Sequence, residues 1–337
     1  MLRSMRAIVI DNANLELRDV PMPEPGPGQA RVRVRACAVN RADVLQRRGL
    51  YPAPPDAPAD IPGLEMAGEV DAVGSHVTDV RVGDRVYGIV SGGAYAEAVV
   101  VPARTLARIP DVQGKQLGFN EAAALPEAMI TAYDAMVLQC GLAAGESVLI
   151  HAVGSGVGTA ALQIARAIGA RPIGTARSED KLKRAEALGL GAGIHVAPTP
   201  DGAPRFAARV RELTEGRGVD VVLDLVGGAY VPESLASLAD RGRLVLVGLM
   251  AGARAEVDLG TILRRRLRVF GTVLRSRPLE EKIVAGQVLA RHLSPLVAEG
   301  KLTPIVDRVL ALEEAREAHS LMESNTTFGK IVLRVVD

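Results

Sequence analysis

One stretch of the sequence, HAVGSGVGTAA from His151 to Ala161, carries three glycines and a serine within five positions. It follows a predicted strand and opens a predicted helix, a context in which glycine lets the backbone turn sharply and approach a pyrophosphate. The N–H groups and partial positive charge of the helix N-terminus would attract that anion, and Gly158 would let helix and strand pack closely. The stretch therefore predicts a dinucleotide site. Its spacing departs from G-x-G-x-x-G, so a tight turn that binds no ligand is the alternative.

The residues after the next predicted strand bear on the choice between NAD and NADP. An NAD site usually has Asp or Glu there to bind the ribose 2′-hydroxyl. This chain instead has Ala176, Arg177 and Ser178, with Lys181 one helical turn later. Two cations and a hydroxyl suit a 2′-phosphate, so we expect NADP(H). The alternative is that Arg177 and Lys181 are only the solvated start of a helix.

Strands and helices alternate from about residue 120 to residue 271, and they must position these groups. Apolar runs such as SVLIHAV and RLVLVGLM are separated by amphipathic runs such as SEDKLKRAEALG and PESLASLADRG, which we predict as helices. Continuous apolar strands between amphipathic helices are typical of a parallel sheet covered on both faces. The predicted fold class is therefore α/β, with a doubly wound parallel sheet of the Rossmann type. Its last predicted strand is LRVFGTVL, residues 267–274.

The regions on either side of this segment have a different pattern of apolar, glycine and proline residues. From Met5 to about Arg108, short alternating apolar runs are broken by Gly and Pro, which indicates strands and turns. The proline-rich stretch from Tyr51 to Pro62 is predicted as a loop. The tail from Arg275 to Asp337 has two helical patterns and ends in a strand, and we expect it to complete the first domain. The predicted domains are 1–124 completed by 275–337, and 125–274.

Bulk composition excludes several classes of protein. The formal net charge is +1, so nothing indicates a nucleic-acid or membrane-surface partner, and the short basic run RRRLR reads as solvated. The two cysteines, Cys37 and Cys140, do not suggest a disulfide framework, and a reducing cytoplasmic setting fits them. Neither a signal peptide nor an apolar run long enough to span a membrane is visible.

Several motifs together resemble the medium-chain dehydrogenase/reductase superfamily. They are VNRADVLQRRGLYPAPP, GLEMAGEV, ALPEAMITAYDAM, SGVGTAALQIARAIGA, LVGGAY, VGLM, GTVLRSR and EAHSLMESNTTFGKIVL. The resemblance covers essentially the whole chain and is greatest to the zinc-free quinone oxidoreductase branch, of the p53-inducible type. It implies a GroES-like β-barrel-type catalytic domain, built from the N-terminal third and the tail, around a Rossmann NADP-binding domain.

The residues at the positions of the family's zinc ligands predict that this chain binds no metal. Zinc members of the superfamily need a cysteine where this chain has Asn40 and a histidine where GLE has Leu64. Catalytic zinc takes three protein ligands with N, S or carboxylate donors, which Asn40 and Leu64 cannot supply. The second zinc lobe of the family needs four closely spaced cysteines, and the chain has two.

The resemblance also implies roles for individual residues. The implied catalytic residues are Asn40 and Tyr51. The implied cofactor-binding residues are Asn40, Tyr51, Thr131, Ser155, Gly156, Val157, Gly158, Ser178, Lys181, Gly227, Gly248, Leu249, Met250, Leu274, Arg275, Asn325 and Lys330. Thr131 has the alternative of an ordinary helix threonine and Asn325 that of a turn residue. We expect His319 on a helix surface. Relatives often carry a tyrosine near Val196, so either His195 takes over that contact or the contact is lost.

Three functions remain open at this point. The first is an NADPH-dependent quinone oxidoreductase, which delivers hydride to a strong acceptor without a metal. The second is an NADPH-dependent enoyl or alkenal reductase, for which Tyr51 is the candidate proton donor. The third is a cofactor-dependent binding or sensor protein. The expected partners are a small quinone or enone substrate and a second copy of the chain, paired along the edge strand LRVFGTVL into a homodimer.

Overall fold

The computed structural model describes residues 3–197, 199 and 202–335. The chain divides into two compact units. The first unit comprises Met1–Ile130 and Leu274–Asp337, and the second comprises Thr131–Val273.

The N-terminal part of the first unit is mainly antiparallel sheet. Alternation in β3 points Val32 and Val34 into the core and leaves Arg33 exposed. The elements are β1 (Ser4–Asp11), β2 (Asn14–Pro21), β3 (Gln29–Ala38), α1 (Arg41–Arg47), β4 (Glu65–Val73), β5 (Arg85–Ile89), β6 (Ala98–Pro102), β7 (Ala107–Arg108), β8 (Asp111–Val112), β9 (Lys115–Gln116), α2 (Phe119–Ala123) and α3 (Pro126–Tyr133).

The second unit holds a six-stranded parallel sheet, as the alternating pattern predicts. Its elements are β10 (Ser147–Ile150), α4 (Gly156–Ala167), β11 (Arg171–Ala176), α5 (Glu179–Ala187), β12 (Ala192–His195), α6 (Ala207–Leu213), β13 (Val219–Asp224), α7 (Tyr230–Ser237), β14 (Leu238–Leu246), α8 (Leu259–Arg265) and β15 (Arg268–Gly271). The strand order is β12-β11-β10-β13-β14-β15, and Leu149, Val222 and Leu244 lie in its core.

The tail returns to the first unit. Its elements are α9 (Leu279–Val288), α10 (Ser294–Ala298), β16 (Val306–Ala311), α11 (Ala315–Ser324) and β17 (Lys330–Arg334). A π-helical turn, Leu289–Leu293, joins α9 to α10 without a break. Strand β17 pairs antiparallel with β3, which gives the sheet order β16-β17-β3-β4-β5-β7, with β6 also paired to β3.

Two predicted boundaries are wrong. The helix predicted from PESLASLADRG ends at Ser237, because Leu238 is already paired with Val219 of the neighbouring strand and is fully buried. Pairing in the sheet overrides the helical spacing of that run. The last strand is four residues long, not the eight of LRVFGTVL, and it lies at the edge of the sheet beside β14.

Candidate functional site

The glycine turn of the second unit joins β10 to α4, as predicted. Ser155 is the N-cap of α4, and its Oγ accepts a hydrogen bond from the Gly158 N–H at 3.0 Å. A Cβ on Gly158 would lie 2.3 Å from the Ala152 carbonyl oxygen, so only glycine fits there. Gly158 therefore lets the start of α4 pack against the turn at Ala152 and Val153 that follows β10.

This turn has the geometry of an anion site. The first N–H groups of a helix have no acceptor inside the helix, and they carry the positive end of its dipole. At α4 these are the N–H groups of Gly156 and Val157, both partly exposed, whereas the Ser155 N–H donates to the Ala152 carbonyl at 2.8 Å. The residues present therefore fit the pyrophosphate of a dinucleotide.

A second pair of glycine turns lies at the carboxyl ends of β13 and β14 in the same unit. Asp224 Oδ1 accepts bonds from the N–H groups of Val226 and Gly227, both at 2.8 Å. Gly227 has a φ of 68°, and a Cβ there would lie 2.8 Å from Leu249 Cδ2. The structure thus brings together the predicted residues Gly227, Gly248 and Leu249. Leu249 and Met250 are 53% and 48% exposed and available for an apolar contact.

A buried histidine, His151, connects neighbouring elements at the carboxyl edge of this sheet. It is not among the predicted site residues. His151 directly follows β10, and its ring nitrogens lie 2.9 Å from Thr175 Oγ1 and 2.8 Å from Ser234 Oγ. Its ring packs edge-on against Phe206 and Tyr230. Burial lowers the pKa of His151 to about 4, so the ring is neutral near pH 7. His151 therefore acts as an uncharged brace between two strands and α7.

The predicted 2′-phosphate residues lie where β11 gives way to α5. Ser178 is the N-cap of α5, Arg177 is exposed and Lys181 is half-buried in the first turn. His195 Nε2 lies 3.2 Å from the Arg177 carbonyl oxygen, and Nδ1 lies 3.5 Å from the Glu179 carboxylate. Val196 is buried in the core of the unit. His195 is therefore the exposed side chain at this strand end, and Val196 is not in a position to replace a tyrosine contact.

In the first unit, Asn40 and Lys330 are directly bonded to each other. The Lys330 ammonium donates to Asn40 Oδ1 at 2.5 Å and to the Val39 carbonyl at 3.1 Å, and it lies 2.7 Å from Glu65 Oε1. Three acceptors satisfy its three N–H groups. Glu65 is fully buried, and it also accepts from Asn40 Nδ2 at 2.9 Å and from the Glu127 N–H at 2.9 Å.

These contacts change what Asn40 and Lys330 can offer a ligand. The Lys330 ammonium has no N–H left over, and the amide hydrogens of Asn40 face Glu65 and the Ala38 carbonyl. Asn40 Oδ1 keeps one free lone pair at most, so Asn40 can present an acceptor but not a donor. Glu65 is not among the predicted site residues, although the GLE motif contains it.

A second buried cluster supports the start of α1. The Asp43 carboxylate accepts from the N–H groups of Asn40 at 2.8 Å and Gly63 at 3.0 Å, and from the Tyr95 hydroxyl at 3.3 Å. Burial raises the pKa of Asp43 to about 6. The same Tyr95 hydroxyl lies 3.3 Å from His319 Nε2.

The expectation that His319 lies on a helix surface is wrong. His319 is fully buried, because this face of α11 covers the core of the first unit together with Ala315 and Ala318. Burial and the neighbouring Arg47 lower the pKa of His319 to about 3. Its ring is therefore neutral and structural.

Tyr51 stands at the start of the proline-rich loop and is half-buried. The Arg275 guanidinium lies 5.4 Å from the centre of the Tyr51 ring, and its Nη1 lies 3.4 Å from the Tyr51 carbonyl oxygen. Burial raises the pKa of Tyr51, and the charge of Arg275 opposes that shift. The predicted residues Tyr51 and Arg275 are therefore in contact with each other.

The remaining predicted residues have mixed surroundings. Thr131 is buried within α3, and Leu274 is half-buried at the start of the tail. Asn325 caps the C-terminus of α11 with a φ of 57°, and its Oδ1 accepts from Arg41 at 2.7 Å. That geometry supports the turn alternative for Asn325.

The residues at the family's zinc position do not fit zinc. Asn40 is bonded to an ammonium group, and Leu64 is an apolar, buried side chain. Across residues 3–197, 199 and 202–335, no group of three or more His, Cys, Asp and Glu side chains is placed to hold a metal ion. Over the same described residues, no helix combines the length and the apolar character of a membrane span.

Comparison with known proteins matches both units. Residues 26–111 match the alcohol dehydrogenase GroES-like domain, and residues 156–288 match the zinc-binding dehydrogenase family. A quinone oxidoreductase of Pseudomonas aeruginosa is 37% identical over 327 residues, which is 95% of each chain. The polyketide synthase GfsB of Streptomyces halstedii is 40% identical over 304 residues, covering 89% of this chain but 5% of that one. A mycobacterial protein whose structure is described as complexed with NADPH superposes with a TM-score of 0.84 at 32% identity, over 98% of this chain and 100% of that one.

Proposed function

The chain belongs to the medium-chain dehydrogenase/reductase family, and we propose that it is an NADPH-dependent quinone oxidoreductase. The observation that carries the proposal is the glycine turn capped by Ser155 at the N-terminus of α4, followed along the chain by a strand end with cations and no acid. NADPH, when bound, supplies a hydride, and the balanced reaction is NADPH + H⁺ + quinone → NADP⁺ + hydroquinone.

The side chains of the second unit support the choice of cofactor. Gly156 and Val157 would hold the pyrophosphate through their N–H groups, next to the Ser155 cap, whose own N–H donates to the Ala152 carbonyl. Ser178 and Lys181 would hold the 2′-phosphate. The exposed side chains of Leu249 and Met250 would line the adenosine and the nicotinamide ribose. A chain that selected NAD would be expected to carry an acid where Ala176 and Arg177 stand.

The side chains of the first unit support a quinone as acceptor. Asn40 offers only an acceptor, which cannot bond a quinone carbonyl, whereas Tyr51 offers a hydroxyl that can donate to that carbonyl. A quinone needs no more than this, because its reduction leaves a delocalised anion that takes its proton from water. The protein then has to bind, orient and partly desolvate the acceptor.

A C=C reductase is the second candidate, and the likeness to polyketide synthase GfsB favours it. In that reaction, NADPH + H⁺ and an activated alkene give NADP⁺ and the saturated product. The α-carbon must receive a proton, and Tyr51 is the donor that the chain offers. Proton transfer from a positioned side chain contributes about 10²–10⁴-fold to such a rate.

The test is to follow NADPH oxidation with 9,10-phenanthrenequinone, a crotonyl thioester and acyclic enones, in wild type and Tyr51→Phe. We expect the quinone to be the best substrate and the variant to lose about tenfold or less with it, as one lost hydrogen bond implies. A collapse of several hundredfold in Tyr51→Phe, with NADPH binding intact, supports the C=C reductase instead. Failure to oxidise NADPH with any of these acceptors rejects both.

We further propose a homodimer that pairs along the edge strand β15. Val269 on this strand is 38% exposed, and edge strands with exposed apolar side chains tend to pair with a copy of themselves. The proposal predicts a dimer by light scattering at micromolar concentration. A monomer under the same conditions rejects it.

A further inference from the structure

Arg275 is a buried cation whose hydrogen bonds all go to uncharged groups. It is 7% exposed, and its Nε donates to the Ser91 carbonyl at 2.7 Å while Nη2 donates to Gln46 Oε1 at 2.7 Å. Its third contact is the Tyr51 carbonyl at 3.4 Å. Among the residues that the structure describes, no carboxylate lies within ion-pair distance of Arg275. Keeping such a guanidinium buried costs free energy, which points to a role beyond stability.

The contacts of Arg275 converge on the proline-rich loop. Gln46, which accepts from Arg275, also donates from Nε2 to the Ala59 carbonyl of that loop at 3.1 Å. A Cβ on Gly92 would lie 3.3 Å from Arg275 Nη2 and 3.2 Å from Ala57 Cβ, so glycine at this position leaves room for the guanidinium beneath the loop. The guanidinium therefore lies behind Tyr51 and is shielded from solvent.

Arg275 contacts Tyr51 in two ways at once. The guanidinium carbon lies within cation–π distance of the ring, which restricts ring rotation, and Nη1 faces the backbone carbonyl of the same residue. A lysine could supply the charge but not the planar fork that reaches Ser91, Gln46 and Tyr51 together.

We propose that Arg275 is a positioning residue for Tyr51: it holds the ring and backbone of Tyr51 in the orientation that the acceptor requires, and it does not itself contact the cofactor. This departs from the role that the family resemblance implied for Arg275. It rests on the proposed function in one respect, because it takes Tyr51 to contact the acceptor.

The test is a double-mutant cycle with Arg275→Gln and Tyr51→Phe, read with the best acceptor. Arg275→Gln should lower kcat/KM for the acceptor about tenfold in wild type but less than twofold in Tyr51→Phe. The dissociation constant for NADPH should change less than twofold. Arg275→Lys should recover part of the lost turnover. The matched control is Lys282→Gln. Lys282 Nζ donates to the Asp56 carboxylate of the same loop and to Ser91 Oγ, and it does not contact Tyr51. The kcat/KM of this variant should stay within twofold of wild type.

A spectroscopic readout keeps this test independent of turnover. The chain has five tyrosines and no tryptophan, so the near-ultraviolet circular dichroism difference between wild type and Tyr51→Phe reports on the Tyr51 ring. That difference should shrink in the Arg275→Gln background. If no acceptor is reduced, the proposed function fails, and the spectrum and NADPH affinity still decide the role of Arg275.

Two results would overturn the proposal. One is a tenfold or greater loss of NADPH affinity in Arg275→Gln together with equal losses of activity in both backgrounds, which would place Arg275 on the cofactor. The other is an unchanged Tyr51 signal and unchanged turnover. If Arg275→Gln fails to fold, Arg275→Lys is measured in the same cycle, with smaller losses expected in the same order.

Discussion

The predicted ligand-binding residues of the first unit and those of the second unit are held in place by different kinds of interaction. In the second unit the groups predicted to bind the ligand are backbone N–H groups and glycine turns, braced by the neutral ring of His151. In the first unit they are side chains held by the buried ion pair of Glu65 and Lys330 and by the Asp43 carboxylate. The first arrangement depends on backbone shape and the second on paired charge, so the two should fail differently when they are mutated.

We expect the largest effect from breaking the buried ion pair of Glu65 and Lys330 in the first unit. Lys330→Met leaves Glu65 buried without its cation, which should cost about 3–5 kcal/mol of unfolding free energy. Urea unfolding measures it. The double variant Lys330→Met/Glu65→Gln should recover much of the loss, because the uncompensated charge is gone. A loss below about 1 kcal/mol in the single variant would show that the pair is not a buried unit.

The neutral His151 ring makes the folding stability of the second unit depend on pH. The unfolded chain protonates His151 near pH 6.5, whereas burial holds its pKa at about 4 in the folded state. Since only the unfolded state takes up that proton, stability is full above pH 6.5 and falls as the pH drops toward 4, by up to about 3 kcal/mol. Asp43 in the first unit acts in the opposite sense, because its raised pKa lets the folded state bind a proton first. Urea unfolding across this range should show a shallower slope for His151→Asn, and equal slopes would contradict the brace.

The glycine turn of the second unit is tested by Gly158→Ala. The added Cβ would lie 2.3 Å from the Ala152 carbonyl oxygen, and overpacking of this kind costs about 1–3 kcal/mol. NADPH binding should weaken at the same time, because the turn has to shift. Gly191→Ala is the matched control, since a Cβ there meets nothing within 4 Å. If both variants bind NADPH like wild type, the turn is not the phosphate site.

The most local of these effects is confined to one phosphate. Lys181→Glu should raise the KM for NADPH about ten- to a hundredfold, the equivalent of one charge-assisted contact of roughly 1.5–3 kcal/mol, and should spare NADH. Lys183→Glu, an exposed neighbour on the same helix, is the control for net charge. Equal effects of Lys181→Glu on both cofactors would remove the argument for NADP.

The same contrast explains what could be predicted from the sequence. The turn from Gly154 to Gly158 is local, so its strand, cap and helix can be predicted from one short stretch of sequence. The contact between Asn40 and Lys330 joins residues 290 positions apart, and no sequence pattern near either residue predicts that contact. The burial of His319 follows from the packing of α11 on the sheet, which no local pattern reveals.

Tertiary pairing accounts for the errors at element ends. Leu238 continues a helical pattern, yet it is drawn into the sheet beside Val219. Arg275 was predicted as a site residue from a family resemblance, but its partners Ser91 and Gln46 could be found only from the fold.

We propose that the protein transfers hydride from NADPH to a quinone. This proposal is tested most directly by an anaerobic competition in which equal concentrations of 9,10-phenanthrenequinone and an acyclic enone share limiting NADPH, and both products are counted by chromatography. We expect hydroquinone in at least about tenfold excess over saturated ketone, and slower formation of hydroquinone when NADH replaces NADPH. Saturated ketone as the main product would contradict it and identify the chain as a C=C reductase.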